Sequence, residues 1–188
     1  MKRFQSIIIL AGLLPLLASA CNDDPSTGPD SIDHEEANMV VLQLINSANP
    51  SDTITATFLD KDDAGGNPPT IDTLRLTSNA SYSGAVRLFH QHGSIATELT
   101  ADIEREKDEH QFFFTAKDGA AGRVFITPTD KDSKNLPVGL KFTVVVGSGT
   151  PTTGKLNVVL GDFDEVAKDG INHSPESDVD VEFPVVVD

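Results

Sequence analysis

The chain has 188 residues, with 29 Asp and Glu against 14 Lys and Arg and a formal net charge of −15. This acidity excludes nucleic acid as a partner, because phosphate recognition needs clustered bases and the sequence offers no such cluster. It also disfavours charge-driven attachment to an anionic membrane. A single cysteine excludes an intramolecular disulfide, so the fold must be held by its core, which a domain of about 150 residues is large enough to build.

The first two dozen residues read as a lipoprotein signal with a lipobox. Lys2 and Arg3 form a charged start, and Ile7 to Leu17 is an apolar run interrupted by Gly12 and Pro15. Ala18-Ser19-Ala20 is a small-residue cleavage site, and Cys21 follows at once. A thiol there can be alkylated with lipid, released from the peptide before it and acylated at its new N-terminus. Residues 1–20 are the expected leader and Cys21 the expected lipidation site. The apolar run is too short to span a bilayer, which takes roughly twenty residues. The lipid is therefore the predicted anchor, and more than one acyl chain suffices for stable attachment. Cys21-Asn22-Asp23-Asp24 resembles the acidic export signal of Bacteroidota-type lipoproteins displayed on the outer face of the outer membrane. The alternative is an ordinary acidic spacer on a protein that stays on the periplasmic face. Residues 21–37, rich in Pro, Gly, Ser and acids, read as a flexible tether.

The remainder, 38–188, is predicted to be one all-β domain. Met39–Asn46 is a first strand. Thr53–Leu59 places Ile54, Ala56 and Phe58 on one face, and Asp60–Pro69 is a loop. Thr70–Leu76 and Ser81–His90 alternate again. Ile95, Leu99 and Ile103 fall at i, i+4, i+8, which predicts a single helix over Ile95–Glu109, capped by Ser94 or Thr100 and carrying Glu104–Lys107 and Arg105–Glu109 charge pairs. His110–Ala116, Arg123–Thr127, Leu140–Gly147, Lys155–Leu160 and Val179–Val187 complete the strands. About nine short strands rich in Val, Thr, Phe and Ile, with turn residues between them, predict an antiparallel, Ig-like β-sandwich with one crossover helix. The Val144-Val145-Val146 and Val185-Val186-Val187 runs read as buried. In Phe112-Phe113-Phe114, alternation sends the outer two rings to one face, expected in the core, and the middle ring to the other.

Two features carry chemistry. Asp60-Lys61-Asp62-Asp63 and Thr129-Asp130-Lys131-Asp132 are two D-K-D loops. Asp60, Asp62, Asp63, Asp130 and Asp132 can converge on Ca²⁺, although Ala64 and Lys134 stand where a third ligand belongs. The same residues serve tight turns for backbone reasons. His90 and His92 share a strand face, and His110, with Glu109 beside it, can join them if the helix folds back. Such a set suits Zn²⁺ or Cu²⁺. His110 can otherwise complement the helix C-terminus. The acidic helix face of Asp102, Glu104, Glu106 and Asp108 reads as solvated. No G-x-S-x-G elbow is present and Cys21 is assigned to lipid, so no catalysis is expected.

The run from Glu104 through Asp108-Glu109-His110-Gln111-Phe112-Phe113-Phe114, with Thr129-Asp130-Lys131-Asp132 and Pro137-Val138-Gly139-Leu140, resembles a group of small Bacteroidota-type lipoproteins that carry the label "type 1 periplasmic binding fold superfamily". The resemblance implies solute binding in support of a TonB-dependent outer-membrane receptor. Its fold label implies two α/β lobes, whereas the residues themselves predict the sandwich. The expected function is a non-catalytic, outer-membrane ligand-binding lipoprotein taking a metal ion or small nutrient. The alternative is a structural or adhesive surface domain stabilised by calcium.

Overall fold

A computed structural model describes residues 37–62 and 66–188. The leader, Cys21 and Asp63 lie outside the described residues, as does the tether up to residue 36. The domain contains eleven strands and one short helix among the described residues, in the order β1 (Met39–Asn46), β2 (Thr53–Leu59), β3 (Thr70–Ile71), β4 (Leu74–Leu76), β5 (Ser81–His92), β6 (Ile95–Glu98), α1 (Thr100–Arg105), β7 (His110–Asp118), β8 (Val124–Pro128), β9 (Lys141–Val146), β10 (Thr152–Asp162) and β11 (Glu176–Val187). The first sheet runs β3-β2-β1-β5-β9-β8, with β6 also paired to β5. The second runs β4-β11-β10-β7. Every neighbouring pair is antiparallel except β4 and β11, which run parallel.

Period-two patterning explains the two layers. Val40, Leu42 and Leu44 of β1, Tyr82, Val86 and Leu88 of β5, and Phe142, Val144 and Val146 of β9 turn inward from the first sheet. They meet Phe112 of β7, Leu156, Val158 and Leu160 of β10, and Val181, Phe183, Val185 and Val187 of β11 in one continuous core. The triple-Phe run behaves as alternation requires. Phe112 is buried, and Phe114 lies 4.7 Å, centre to centre, from Phe142 of the facing sheet. Phe113 turns outward against Phe163 and His173. Val145 corrects the expectation of a wholly buried run, because it faces out beside Phe125 and is 49% exposed.

Two segments depart from expectation. Thr70–Leu76 is not one strand. Asp72 ends the pairing with β2 by donating its N–H to the Thr57 carbonyl (2.9 Å) and accepting the Thr57 N–H on its carboxylate (3.0 Å). The chain then crosses to the second sheet as β4. The predicted helix over Ile95–Glu109 is shorter and begins later. His92 pairs with Ile95 across the two-residue loop Gly93-Ser94, with Gly93 at φ +60°, the form of a type II′ hairpin turn that glycine favours. Ile95–Glu98 is thus a strand, and only Thr100–Arg105 is helical. Leu99 sits at the N-cap without a side-chain bond. Arg105 pairs with Asp102 rather than Glu109. With eleven strands and one six-residue helix, the domain is a sandwich and not the two α/β lobes of the resemblance label.

Candidate functional site

The structure does not assemble the expected histidine centre. His90 and His92 lie in β5 of the first sheet, opposite Thr97 and Ile95. His110 opens β7 of the second sheet, opposite Asp162. Its buried ring is held at both nitrogens: Nδ1–H donates to the Glu106 carbonyl (3.1 Å), and Nε2 stands 3.2 Å from an Asp178 oxygen. Glu109 is exposed, and its carboxyl is pushed up by partial desolvation and by the neighbouring Asp164. Among the described residues, no three His, Cys, Asp or Glu side chains stand together as a metal would require.

His110 is a charge partner instead. Burial opposes its protonation, but the Asp178 carboxylate, the Glu106 carbonyl and Asp162 outweigh that, and its pKa lies above the ordinary value. A raised folded-state pKa contributes stability that is complete below about pH 6.5 and fades as pH rises through the folded value. Wild type is therefore expected to lose stability relative to His110→Gln between mildly acidic and alkaline pH. Denaturant unfolding of both proteins across that range checks this, and parallel pH profiles would refute it.

Asp62 of the first D-K-D loop and both acids of the second are likewise occupied from within, while Asp60 keeps a buried oxygen without a hydrogen-bond partner among the described residues and Asp63 lies outside them. In the first, Asp62 accepts both the backbone and side-chain N–H groups of Asn67 at 2.9 and 2.6 Å, which lowers its pKa. In the second, Asp130 accepts the N–H groups of Gly139 (2.8 Å) and Lys141 (3.1 Å), one on each oxygen. Asp132 accepts the N–H groups of Lys134 (2.9 Å) and Leu136 (2.8 Å) on Oδ1. Its Oδ2 stands 3.0 Å from Nζ of Lys168, and both side chains are fully buried. The same ammonium donates to the carbonyls of Lys107 and His110, each at 2.9 Å. Burial would raise the Asp132 carboxyl, but Lys168 and the loop N–H groups hold it below the ordinary value. The calcium expectation for Asp130 and Asp132 is thus replaced by a lysine clamp that ties three segments together: the 130–137 loop, the α1–β7 connection and the β10–β11 loop.

The feature best suited to a ligand arises where the edge of β5 changes partner. Strand β9 pairs with β5 as far as Ala85, opposite Lys141, and β6 pairs from Phe89, opposite Glu98. Between them β5 has no strand on that side. The Val86 N–H reaches the Leu140 carbonyl at 2.9 Å, and the Leu88 N–H reaches Thr100 Oγ1 at 3.0 Å. The two flanking chains splay apart there and leave an open cleft of about 250 Å³. Val86, Val138 and Leu140 line it from the core. Arg87 and Glu98, Glu104 and Lys107 of the helical side, and Asp130, Lys131 and Lys141 form its charged walls. Arg87 clasps Glu98 with two bonds, Nε to Oε1 at 2.9 Å and a terminal N–H to Oε2 at 2.7 Å. Gly139, between two of the apolar lining residues, has φ +91°, and a Cβ there would stand 2.7 Å from Cβ of Phe112. The Lys168 clamp fixes both sides of this cleft, because it holds the Lys107 backbone and the Asp130–Lys131 loop.

None of the cleft residues except Asp130 was a ligand candidate in the sequence. They come from separate segments: Glu104, Lys107, Lys131, Val138 and Leu140 stand in the stretches that carry the family resemblance, but nothing in the sequence brings them together with Arg87 and Glu98. No family model matches the chain, no curated protein matches it, and no solved structure matches it.

Proposed function

We propose that this chain is an outer-membrane lipoprotein, anchored through Cys21 and displayed at the cell surface, whose sandwich is a non-catalytic binding module. Its ligand is a small organic solute held in the cleft beside β5, for transfer to a TonB-dependent receptor. The cleft at the divided strand edge carries this reading: it is concave, apolar at its base and polar at its walls, as small-molecule sites are. A metal ion fits it poorly, because two of its three carboxylates are already engaged, one by Arg87 and one by backbone N–H groups. Thr100, the hydroxyl-bearing lining residue, bonds the backbone of Leu88 and has no histidine beside it among the lining residues to activate it. Among the described residues no helix is long and apolar enough to cross a membrane. A structural role is the second reading, favoured by the Lys168–Asp132 clamp, which braces one end of the sandwich without an ion.

Methyl-labelled protein titrated with a library of small soluble compounds tests the binding reading. Saturable shifts are expected at Val86, Val138 and Leu140, with Val158 and Val185 in the core unmoved. A library that leaves the cleft methyls silent would overturn it.

A further inference from the structure

We infer that the solute is a compact oxyanion, a small carboxylate or phosphate, gripped by the lysines of the cleft. This rests on the cleft being the binding site and adds the chemical class of what enters it.

Charge distribution carries the inference. The chain is poor in bases, and most of those outside the cleft are committed. Lys117 and Lys155 both bind Glu182, Lys168 binds Asp132, and Arg105 binds Asp102. Arg123 donates to the carbonyls of Gly147 and Thr150. At the cleft the balance reverses. Arg87, Lys107, Lys131 and Lys141 face Glu98, Glu104 and Asp130. Glu98 gives both oxygens to Arg87, and Asp130 gives both to backbone N–H groups. Lys131 and Lys141 form no salt bridge among the described residues, and both are exposed. In a protein of net charge −15, four bases against three acids make this a locally cationic place with apolar residues at its base, and the two unpaired lysines are what an incoming anion would meet. A lysine ammonium, a flexible point charge with three donors, suits either oxyanion. The volume of about 250 Å³ lies below the roughly 300–1,000 Å³ of clefts for drug-sized ligands, so the anion is compact. The acidity of the rest of the chain opposes an approach to an anionic bilayer, which favours a free solute over a lipid headgroup.

The test titrates the full chain, in detergent, with inorganic phosphate, citrate, glucose, tetramethylammonium and a soluble short-chain phosphatidylglycerol, reading the methyl groups of Val86, Val138 and Leu140. Phosphate or citrate is expected to shift them saturably. Loss of one charged hydrogen bond weakens binding by about tenfold, so Lys131→Gln and Lys141→Gln should each do this while Lys155→Gln leaves affinity unchanged. Equal weakening by Lys155→Gln would reduce the effect to overall charge and overturn the site. Binding of glucose or tetramethylammonium without the anions would overturn the oxyanion and leave the cleft as a binding site. The short-chain lipid binding where phosphate and citrate do not would replace the free solute with a headgroup. A cleft silent to every probe would overturn the inference, and silence that extends to the compound library would remove the binding reading as well.

Discussion

Lys168→Met is expected to destabilise the domain by about 3–5 kcal/mol, the usual cost of breaking a buried ion pair from one side. The pair is fully buried, with Nζ 3.0 Å from the Asp132 carboxylate. Methionine leaves that carboxylate buried and without its counter-charge, and it also strips the Lys107 and His110 carbonyls of their donor. The double variant Lys168→Met/Asp132→Leu should recover part of the loss, because a packed apolar pair can replace a buried ion pair at little cost. Recovery should be incomplete: the two carbonyls remain unpaired, and the N–H groups of Lys134 and Leu136 lose their acceptor. Chemical denaturation of the three proteins measures this. A single variant within 1 kcal/mol of wild type would refute the clamp.

Phe142→Ala should cost about 3–5 kcal/mol, the range for removing a buried aromatic ring. Phe142 joins the two layers, with its ring on Gly84 of the neighbouring strand and its centre 4.7 Å from that of Phe114 in the opposite sheet. A Cβ added to Gly84 would come within 2.2 Å of the ring, so the glycine makes the space the ring occupies. Phe125→Ala on the outer face is the contrast. Phe125 is 54% exposed, and its loss should change stability by only about 0.5 kcal/mol, as at most surface positions. Urea midpoints with unchanged slopes distinguish the two. Similar costs at both sites would contradict the assigned facing of β8 and β9.

The longer strands are legible because each alternates over enough residues to show which face is buried, whereas β3, β4 and β6, of two to four residues, are too short to do so. β1 and β2 fall where the sequence places them. The Phe112–Phe114 alternation also follows from period two alone. The helix was misread because Ile95, Leu99 and Ile103 satisfy helical spacing while Gly93-Ser94 ahead of them is a hairpin turn, and the turn prevails by pairing His92 with Ile95. The D-K-D loops showed their acids but not what meets them. Lys168 lies 36 positions from Asp132 in the sequence, and only the folding of the β10–β11 loop brings it there. The same holds for the cleft, which exists because two strands share one long edge and neither covers its middle.

The parallel pairing of β4 with β11 also bears on the order of assembly. Leu74–Leu76 is made early, yet its partner Val185–Val187 follows on the order of a hundred residues later, a separation that slows folding. β11 is also the central link between β4 and β10. The second sheet therefore lacks the strand that joins β4 to β10 and β7 until residues 176–187 have been made, so an N-terminal stretch of the chain can close the first sheet well before the second.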